Sequence, residues 1–538
     1  MPFVVLKFGG TSVTSVENWQ HIEGVLRERV AEGLQPVVVC SALSRVSDAL
    51  ERLLDLAAKG DPIAPALQFL VDRHADQAEA MGVDLVEHAG DLLQDLERLA
   101  HGASLIGETS PRLRARIMSA GELISTRLGA AWLNQRGLEV HWQDARELLR
   151  SRGGEGHLAA TCAHDLDLPL QDRFVQLGGV VLTQGFIARE PGGDTVLLGR
   201  GGSDTSAAYL AAMLGAQRLE IWTDVPGMFT ANPRQVPSAR LLRRLDHDEA
   251  LELATTGAKV LHPRCIPPVR AQGIPVHVRC TTAPHLLGTL IGEGGDSSPR
   301  VKAVVSRSGI ALISMSSLGM WRRAGFLADA TALFKKHGVS IDLVATSEAS
   351  VTVTLDQAEV PDALIDDLST ICRPVVTRSV ASVSLVGRRI RAILHRLGPV
   401  LERFEDQRVH LLSLAASDLN LTVVVDEEQA EPMVAALHAL LFSQVEGEDF
   451  GDSWQQMFSE PAKAQAQPPA WWELTDLAAV AAEGTPAYVY HRATARAAAR
   501  SVLSMRNIDH ALYAVKANPN VELLKTFHEV GLGFECVS

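Results

Sequence analysis

The sequence lacks the features of secreted, membrane-spanning and metal-binding chains. Its six cysteines (Cys40, Cys162, Cys265, Cys280, Cys372 and Cys536) include no CxxC pair, so free thiols in a reducing cytoplasm are the simplest interpretation. No basic stretch followed by an apolar run opens the chain, which argues against a signal peptide. The best apolar run, at residues 178–183, is only one strand long. We therefore expect a cytoplasmic protein without a membrane partner.

Positive charge is also scarce. The chain has 50 lysines and arginines against 64 aspartates and glutamates, a net charge of −14, which argues against nucleic acid as the main partner. It contains neither a Walker A sequence nor the protein-kinase motif set, so neither of those nucleotide-binding folds is expected. A length of 538 residues predicts several domains.

The first part of the chain alternates short β-branched runs with longer helical patterns. The predicted strands are residues 4–8, 36–40, 180–184, 219–223 and 276–279. The predicted helices include residues 48–58, 65–80 and 115–134. This alternation predicts a mainly parallel α/β sheet with helices on both faces.

The pattern changes at a glycine-rich loop, residues 292–298. From residue 301 to about 442, the order strand, helix, strand, strand occurs twice, which predicts an internal repeat of one small α+β unit. Residues 459–469 (SEPAKAQAQPP) have linker composition, and a helix (474–483), a strand (487–490), a helix (493–505) and a strand (510–515) follow. The expected domains are 1–298, 301–375, 376–458, a linker at 459–472, and 473–538.

Four basic residues lie on or beside ordered, mostly glycine-rich turns: Lys7, Arg200, Arg234 and Lys259. Backbone N–H groups at such turns bind anions, and cationic side chains neutralise charge in phosphoryl transfer. Each motif alone has a simpler interpretation. A strand followed by two glycines is usually a tight turn, and a Ser-Asp pair can cap a helix.

Five motifs taken in order are more specific: KFGGTS, SAGELIST, GRGGSDTSAA, TDVPGMFTANPR and GAKVLHP. Together they resemble the catalytic domain of the aspartokinases. That family has the amino-acid kinase fold, a three-layer α/β/α sandwich. The resemblance implies transfer of the γ-phosphoryl group of ATP, with Mg²⁺, to the side-chain carboxylate of L-aspartate, the first step towards lysine, threonine and methionine.

The resemblance also implies individual roles. Lys7 would neutralise the transferring phosphoryl group, and Asp204 would help to organise the phosphate network. Glu122 would hold the substrate amino group and Arg200 its α-carboxylate. The remaining aspartate-site residues would be Ser41, Ser47, Gly201, Gly202 and Ser203. The ATP-binding residues would be Lys7, Gly9, Gly10, Thr223, Asp224, Phe229, Arg234, Lys259 and Val260.

Three positions depart from the family pattern. Phe229 stands where the family often has Tyr, which keeps the ring but loses a hydroxyl. Asn232 stands in place of a common Asp, and Ser47 in place of a common Thr. Taken without the motif, Glu122 would be interpreted as a solvated glutamate in the first turn of a helix.

The two repeated units resemble ACT domains, which pair across subunits and bind amino acids. We therefore expect a homo-oligomer, a dimer or larger, formed through these units. Residues 320–348 are similar to the lysine-sensing unit of lysine-inhibited aspartokinases. The implied L-lysine site consists of Met320, Phe326, Leu327, Ser340, Ile341, Asp342, Ser347 and Glu348. Threonine as the effector, or a dimerisation module without a ligand, remains an alternative.

A second notable lysine, Lys516, follows a predicted strand in YAVKANPN. Such a lysine is usually a solvated charge, although at a barrel-strand end it can hold a carbonyl cofactor as a Schiff base. With the flanking sequences, this motif resembles the opening of diaminopimelate decarboxylase, a pyridoxal 5′-phosphate enzyme with a TIM-like barrel. The resemblance implies a bifunctional protein that also forms L-lysine from meso-diaminopimelate. Because a barrel needs ~250 residues, we expect this chain to lack decarboxylase activity.

Three competing interpretations remain. A fusion to homoserine dehydrogenase would need a GxGxxG after a strand beyond the repeated units, and none occurs. A related kinase for glutamate or a nucleotide would not be expected to combine KFGGTS, SAGELIST and two ACT-like units. An ACT-based amino-acid-binding regulator with an inactive kinase domain is the third. Loss of Lys7 or Arg200 would have favoured it, and both are present.

Overall fold

The structure is a computed structural model. It describes residues 1–154, 156–258, 260–294, 298–316, 325–347, 349–393, 408–414, 416–443, 447, 449–458, 479, 482, 484, 488–503 and 510–536. The chain divides into two compact units, Met1–Met457 and Phe458–Ser538, which are described separately. Among the helices described, none combines the length and the apolar character needed to cross a membrane.

Among the described residues, the first part of the first unit contains eleven strands. They are β1 (Phe3–Phe8), β2 (Gln35–Cys40), β3 (Val140–Trp142), β4 (Val180–Gln184), β5 (Ile187–Arg189), β6 (Thr195–Leu197), β7 (Arg218–Thr223), β8 (Arg240–Leu242), β9 (Arg244–Leu245), β10 (Val276–Cys280) and β11 (Thr289–Ile291). Eight of them form one sheet in the order β3-β4-β2-β1-β7-β10-β11-β9. Neighbours pair in parallel except β10 and β11, so the predicted mainly parallel sheet is confirmed.

Alternate residues of the central strands enter two different cores. On β1, Phe3 and Val5 belong to the core on one face, whereas Val4, Leu6 and Phe8 belong to the core on the other. This two-residue period is what an extended strand imposes when both faces of its sheet are covered. The predicted three-layer arrangement is therefore confirmed.

In the part of this stretch that the structure describes, eleven helices accompany these strands. They are α1 (Val16–Ala31), α2 (Val46–Lys59), α3 (Ala64–Met81), α4 (Leu85–Ile106), α5 (Pro111–Met118), α6 (Ala120–Gln135), α7 (Ala145–Leu148), α8 (Leu168–Leu177), α9 (Gly202–Met213), α10 (His247–Thr256) and α11 (Ile266–Ala271). The prediction of one helix over residues 115–134 is wrong, because the helix is interrupted at Ser119. The Ser119 hydroxyl donates a hydrogen bond to the carbonyl of Arg116 at 2.7 Å. The break leaves Glu122 in the first turn of α6.

The later part of the first unit forms a six-stranded antiparallel sheet. Its strands are β12 (Arg300–Ser316), β13 (Leu343–Thr346), β14 (Ser350–Asp356), β15 (Arg373–Arg388), β16 (Val409–Leu414) and β17 (Asn420–Asp426), and its helices are α12 (Phe326–Lys336), α13 (Asp362–Ser369), α14 (Ile390–Ile393) and α15 (Glu427–Phe442). The sheet order is β13-β14-β12-β15-β17-β16. The long strands β12 and β15 pair at the centre, and each copy of the repeat adds two outer strands. The helix expected in the second copy of the repeat, residues 392–404, lies almost wholly outside the described residues.

Buried polar contacts join the six-stranded second sheet to the eight-stranded first sheet. Lys302 on β12 lies 2.8 Å from Glu249 on α10, and both side chains are 1% exposed. Arg388 on β15 pairs with Asp246, the N-cap of the same helix. His438 on α15 contacts the Thr230 hydroxyl at 2.8 Å, and burial lowers the pKa of this imidazole to about 4. Because buried charges are costly without partners, these pairs fix how α10 lies against the second sheet.

The first unit ends with β18 (Phe450–Ser453), which pairs with β8, and with α16 (Trp454–Phe458) at the division between the units. The second unit contains α17 (Arg492–Leu503), β19 (Leu512–Ala514), α18 (Val521–Glu529) and β20 (Gly533–Glu535). Strands β19 and β20 pair in parallel. The strand predicted at 487–490 is wrong for residues 488–490, which are irregular, and the predicted linker at 459–472 lies outside the described residues.

Candidate active site

A cleft of about 700 Å³ opens at the carboxyl ends of β1 and β2. This is the edge at which parallel α/β sheets bind their ligands, because loops and helix N-termini converge there. Eleven residues predicted from the sequence line it: Lys7, Gly9, Gly10, Ser41, Ser47, Glu122, Arg200, Gly201, Gly202, Ser203 and Asp204.

A salt bridge between Lys7 and Asp204 lies in this cleft. The Nζ atom of Lys7 lies 2.7 Å from Oδ1 of Asp204, and the two side chains are only 13% and 11% exposed. The other carboxylate oxygen, Oδ2, accepts a hydrogen bond from the backbone N–H of His262 at 3.1 Å. Asp204 is thus held from two sides and fixes the ammonium group of Lys7 at the cleft.

The turn that precedes α9 can be built only from glycine. Gly201 has φ +65°, and a Cβ atom there would lie 2.0 Å from the His262 ring. A Cβ atom on Gly202 would lie 2.6 Å from the Phe186 ring. The N-terminus of α9 therefore reaches the cleft with its backbone N–H groups close to any ligand. Arg200, immediately before the turn, is exposed and lines the same cleft.

Hydroxyl groups line the part of the cleft between β2 and α9. The Ser41 hydroxyl donates to the Ser203 hydroxyl at 2.9 Å. The Ser125 hydroxyl donates to the carbonyl of Ser41 at 3.2 Å, which holds the end of β2 against α6. Ser47, in the first turn of α2, also lines the cleft. All three serines predicted for the aspartate site are therefore brought together.

Glu122 is unusual among the residues of this cleft because it is buried without a cationic partner. Its side chain lines the cleft, the residue is 3% exposed, and Oε2 has no hydrogen-bond partner among the described residues. Burial raises the pKa of this carboxyl to about 8, although backbone hydrogen bonds from Glu122 itself and Ala42 lower it. A pKa of about 8 favours protonated Glu122 at neutral pH, and an ammonium ligand would stabilise its carboxylate form.

Sequence reasoning missed several charged residues of the cleft. Arg45 and Arg114 line it, as do Asp48 and Glu51. Arg45 has φ 72°, a left-handed conformation that is uncommon outside glycine. Arg114 comes from α5 and lies 3.5 Å from Glu51 on α2. No motif marks these residues, since only the packing of α5 against α2 brings them to the site.

A second cleft, of about 440 Å³, lies beyond the carboxyl end of β7. Four residues predicted to bind ATP line it: Asp224, Phe229, Arg234 and Val260. Arg234 Nη2 lies 2.9 Å from Asp224 Oδ2, and both side chains are exposed. The Thr223 hydroxyl donates to the other oxygen of Asp224 at 3.1 Å. The predicted residue Lys259 lies outside the described residues.

The second cleft also contains residues from the second sheet, which sequence reasoning missed. Ser306 and Arg307 from β12 and Val434 from α15 line it. Gly257 packs against this strand so closely that a Cβ atom would lie 2.7 Å from the carbonyl oxygen of Ser306. The candidate nucleotide cleft is therefore built from both sheets of the unit.

The predicted effector residues lie at α12, β13 and the segments flanking β13. Phe326 is buried in one small core that Ile341 packs against, whereas Leu327 is 47% exposed. Asp342 pairs with Arg307 at 2.9 Å, and burial raises the pKa of Asp342 although Arg307 lowers it. Ser340 is exposed, and Ser347 bonds to Ser350. Met320 and Glu348 lie outside the described residues, so the complete predicted set is not seen together.

Lys516 lies in the second unit, in a 3-10 turn that directly follows β19. Its side chain is exposed. It does not line either of the two clefts described above. Its predicted role as a cofactor lysine stays a prediction.

Comparison with known proteins assigns the family. The model of the amino acid kinase family matches residues 2–280. Lysine-sensitive aspartokinase 3 of Escherichia coli (strain K12) is 32% identical over 458 residues, which cover 82% of this chain and 99% of that protein. The chain belongs to the aspartokinases of the amino acid kinase family. Aspartokinase 2, chloroplastic, of Arabidopsis thaliana is 30% identical over 470 residues, covering 81% of this chain and 84% of that protein.

Solved aspartokinase structures have the same fold. The E. coli aspartokinase III complex with aspartate and ADP, in the R-state, has a TM-score of 0.73 and 33% identity, and covers 82% of this chain and 100% of that one. The T-state complex with lysine and aspartate has a TM-score of 0.65 and 32% identity, with coverage of 82% and 99%. The aspartokinase prediction is confirmed. These comparisons give no support to the predicted decarboxylase segment.

The raised pKa of Glu122 predicts a pH-dependent cost to folding. Between pH 4.5 and about 8 the folded carboxyl keeps a proton that the unfolded chain releases, so stability falls as pH rises. Glu122→Gln has no carboxyl to titrate, so its free energy of unfolding should not fall in this way. Relative to the wild type, the free energy of unfolding of the ligand-free variant should rise by on the order of 4 kcal/mol from pH 5 to pH 8. Denaturant unfolding at the two pH values measures the difference.

A matched control is Glu79→Gln, which changes an exposed glutamate on α3. This variant should follow the wild type at both pH values, within about 0.5 kcal/mol. An equal response of the two variants to pH would contradict a buried, protonated Glu122.

Proposed function

We propose that this aspartokinase transfers the γ-phosphoryl group of ATP to the side-chain carboxylate of L-aspartate. The observation that carries the proposal is a single cleft that holds Glu122, a buried acid without a cationic partner among the described residues, together with the Lys7–Asp204 pair and the N-terminus of α9. A related enzyme of the same fold binds aspartate and ADP, which supports both substrates.

The charges of L-aspartate complement this cleft. Its ammonium group would pair with Glu122, and its α-carboxylate with Arg200, which is exposed at the rim. The side-chain carboxylate would then lie near the hydroxyls of Ser41 and Ser203, which are already bonded to each other. Holding both charged ends fixes the acceptor oxygen in position, which is the main requirement of phosphoryl transfer.

Lys7 is the residue best placed to neutralise charge on the phosphoryl group as it moves. Asp204 holds its ammonium group at the carboxyl end of β1, beside the backbone N–H groups of the glycine turn. Negative charge that develops on the phosphoryl oxygens would meet a cation that needs no reorganisation. In the second cleft, Arg234 pairs with Asp224, and both side chains are exposed. Arg234 would leave Asp224 to bind the phosphates of ATP.

Mg²⁺ fits the site as an ion carried by the nucleotide. No three carboxylate or imidazole ligands of this cleft, among the residues described, lie close enough together to hold an ion by themselves. Mg²⁺ can bind without a full set of protein ligands, because it keeps several waters and takes most other ligands from substrate phosphates. Asp204, which lines this cleft, would be a candidate to add one protein oxygen. The ion would supply neutralisation of the phosphate oxygens.

Replacing Lys7 tests the kinase proposal. Lys7→Met should lower kcat by about 10²–10³-fold, because a positioned charge is lost from the transition state. Aspartyl phosphate trapped as its hydroxamate measures the rate. Lys59→Met, at an exposed lysine that ends α2, should keep the wild-type rate. Binding of ADP by calorimetry shows whether the variant is still folded.

The proposal fails if folded wild-type protein binds ATP but forms no aspartyl phosphate. It also fails if Lys7→Met retains more than about half of the rate. An amino-acid-binding regulator with an inactive kinase domain predicts no rate in the wild type, with amino-acid binding intact in both proteins.

We also propose that L-lysine inhibits the enzyme through the second sheet, and that the sheet mediates assembly into a homo-oligomer. The relative with a lysine-bound T-state supports the choice of effector. Asp342 offers a carboxylate to an ammonium group, and its present partner Arg307 also lines the candidate nucleotide cleft. A lysine ammonium at Asp342 would compete with Arg307 and so act on that cleft.

Replacing Asp342 tests the effector site. Asp342→Asn should raise the lysine concentration for half-inhibition at least about tenfold, since a charged hydrogen bond is lost. Asp366→Asn, on the exposed side of α13, is the matched control and should not change it. Inhibition by threonine alone, or an unchanged response in Asp342→Asn, would contradict the proposal.

The edge strands of the second sheet support the proposed assembly into a homo-oligomer. Strands β13 and β16 are the two edges of the second sheet, and Val344, Leu412 and Leu414 on them are 47%, 56% and 37% exposed. Exposed apolar side chains on such edge strands are suited to contact with a second copy. Sedimentation of the full chain should give a dimer or larger. A monomer at micromolar concentration would contradict this.

No decarboxylase step is proposed for the second unit. Its support is limited to the YAVKANPN resemblance and to the parallel β19–α18–β20 unit, which places Lys516 just beyond the end of a strand. Lys516 is exposed, and it does not line either of the two clefts described above.

A further inference from the structure

A third cleft, of about 760 Å³, lies in the first unit and shares no lining residue with the two clefts of the candidate active site. Its walls come from the end of α1, from β7 and β10, and from the loop between β10 and β11. Gly288 fixes this loop. Its φ is +75°, and a Cβ atom there would lie 2.0 Å from the carbonyl oxygen of Val278.

Two arginines of this third cleft are neutralised by acids. Arg29 lies 2.8 Å from Glu220 and 2.8 Å from Glu32. Arg218 lies 2.7 Å from each of the same two carboxylates. Nevertheless, Nη2 of Arg29, a residue only 2% exposed, has no hydrogen-bond partner among the described residues. A buried guanidinium N–H without an acceptor is costly and favours an added ligand oxygen.

The other two arginines, Arg243 and Arg279, have no ion pair with any residue that the structure describes. The guanidinium carbon of Arg279 lies 5.2 Å from the Trp222 ring centroid, and Nη2 donates to the Leu286 carbonyl at 3.4 Å. Nε of Arg279 is buried and has no partner among the described residues. Arg279 is thus held in place by the ring and the loop with donor capacity to spare.

Four arginines line the third cleft, in a chain whose net charge is −14. The nearby acids equal them in number, but Glu28, Glu32 and Glu220 pair with Arg29 and Arg218. Burial lowers the pKa of His277, which favours its neutral form. Arg243 and Arg279 are therefore the arginines of this cleft without an ion pair among the described residues, and they favour an anionic ligand over a cationic one.

The remaining wall of the third cleft is apolar. Leu241, Leu286, Leu290 and Met457 contribute to it, and Leu287 at the rim is 85% exposed. An exposed leucine beside arginines that lack ion pairs suits a ligand with an apolar body and an anionic end.

We propose that this third cleft binds a small organic anion. A phosphate or carboxylate group would accept hydrogen bonds from Arg243 and Arg279, and its apolar body would pack on Leu286 and Leu287. The volume is in the range of ordinary small-molecule sites. The proposal is independent of the kinase function, since the clefts share no residue.

Phenyl phosphate is a suitable probe because it joins a phosphate to an apolar ring. Calorimetric titration of the full chain, with ADP and aspartate present to occupy the other clefts, measures its Kd. The double variant Arg243→Gln/Arg279→Gln should bind at least about tenfold more weakly, because charged hydrogen bonds are lost. Arg270→Gln, an exposed arginine paired with Asp248, is the matched control and should stay within about twofold.

Two further variants keep the test decisive. Leu287→Asp puts a negative charge at an exposed rim position, so it should weaken binding severalfold without affecting the core. If the double variant does not fold, the Kd of Leu287→Asp for phenyl phosphate tests the proposal instead. Lys7→Met should leave the Kd unchanged, which separates this cleft from the kinase site.

The proposal is overturned if the double variant and Leu287→Asp both bind phenyl phosphate like the wild type. It is also overturned if Lys7→Met abolishes binding, because the probe then occupies the kinase cleft. Inorganic phosphate that binds as tightly as phenyl phosphate would overturn the assignment of an apolar body. Binding that weakens in both arginine and leucine variants, but not in Arg270→Gln, supports the site.

Discussion

The structure of the catalytic unit depends on the burial of both faces of its central parallel strands. On β1, every residue is buried except Lys7, the last residue but one, which is half-buried. With apolar side chains filling both faces of β1, its one charged residue lies next to the carboxyl edge. The Lys7–Asp204 pair, the glycine turn before α9 and the serines after β2 all lie at that edge for this reason.

The candidate nucleotide cleft depends on how the second sheet packs against the first. Lys302 and Glu249 are buried together, and the Thr230–His438 contact lies beside Phe229 of the candidate nucleotide cleft. The walls of that cleft come from both sheets, so its shape depends on how α10 and α15 pack against β12. A change in the second sheet therefore has a direct structural route to the first, through contacts rather than through a flexible connection.

Local sequence patterns predicted most of the secondary structure of the first unit. The predicted strands at 4–8 and 36–40 begin one residue later than β1 and β2, and the predicted strand at 180–184 agrees with β4 at both ends. Two errors have local causes. The interruption at Ser119 is invisible to helical periodicity, because its neighbours on both sides suit a helix. Aromatic and β-branched residues near 488–490 suggested a strand that finds no partner among the described residues.

Only part of the candidate site was predicted from the sequence, and the reason is physical. Motifs placed Lys7, Arg200 and Asp204 together because these residues lie on turns whose glycines reveal the close approach of backbone and ligand. The state of Glu122 could not be read in the same way. Its protonation depends on being covered by neighbouring elements without receiving a cation, which no spacing along the chain encodes.

The sequence by itself determined the alternation of strands and helices, the repeat and the glycine turns, because these follow from neighbouring residues. Only the tertiary structure decided which side chains from distant segments share a space. Arg114 reaches the first cleft, Arg307 the second, and Arg243 and Arg279 the third. Their electrostatic roles arise from what surrounds them after folding, since burial and partner distance set the energy of a charge more than its identity does.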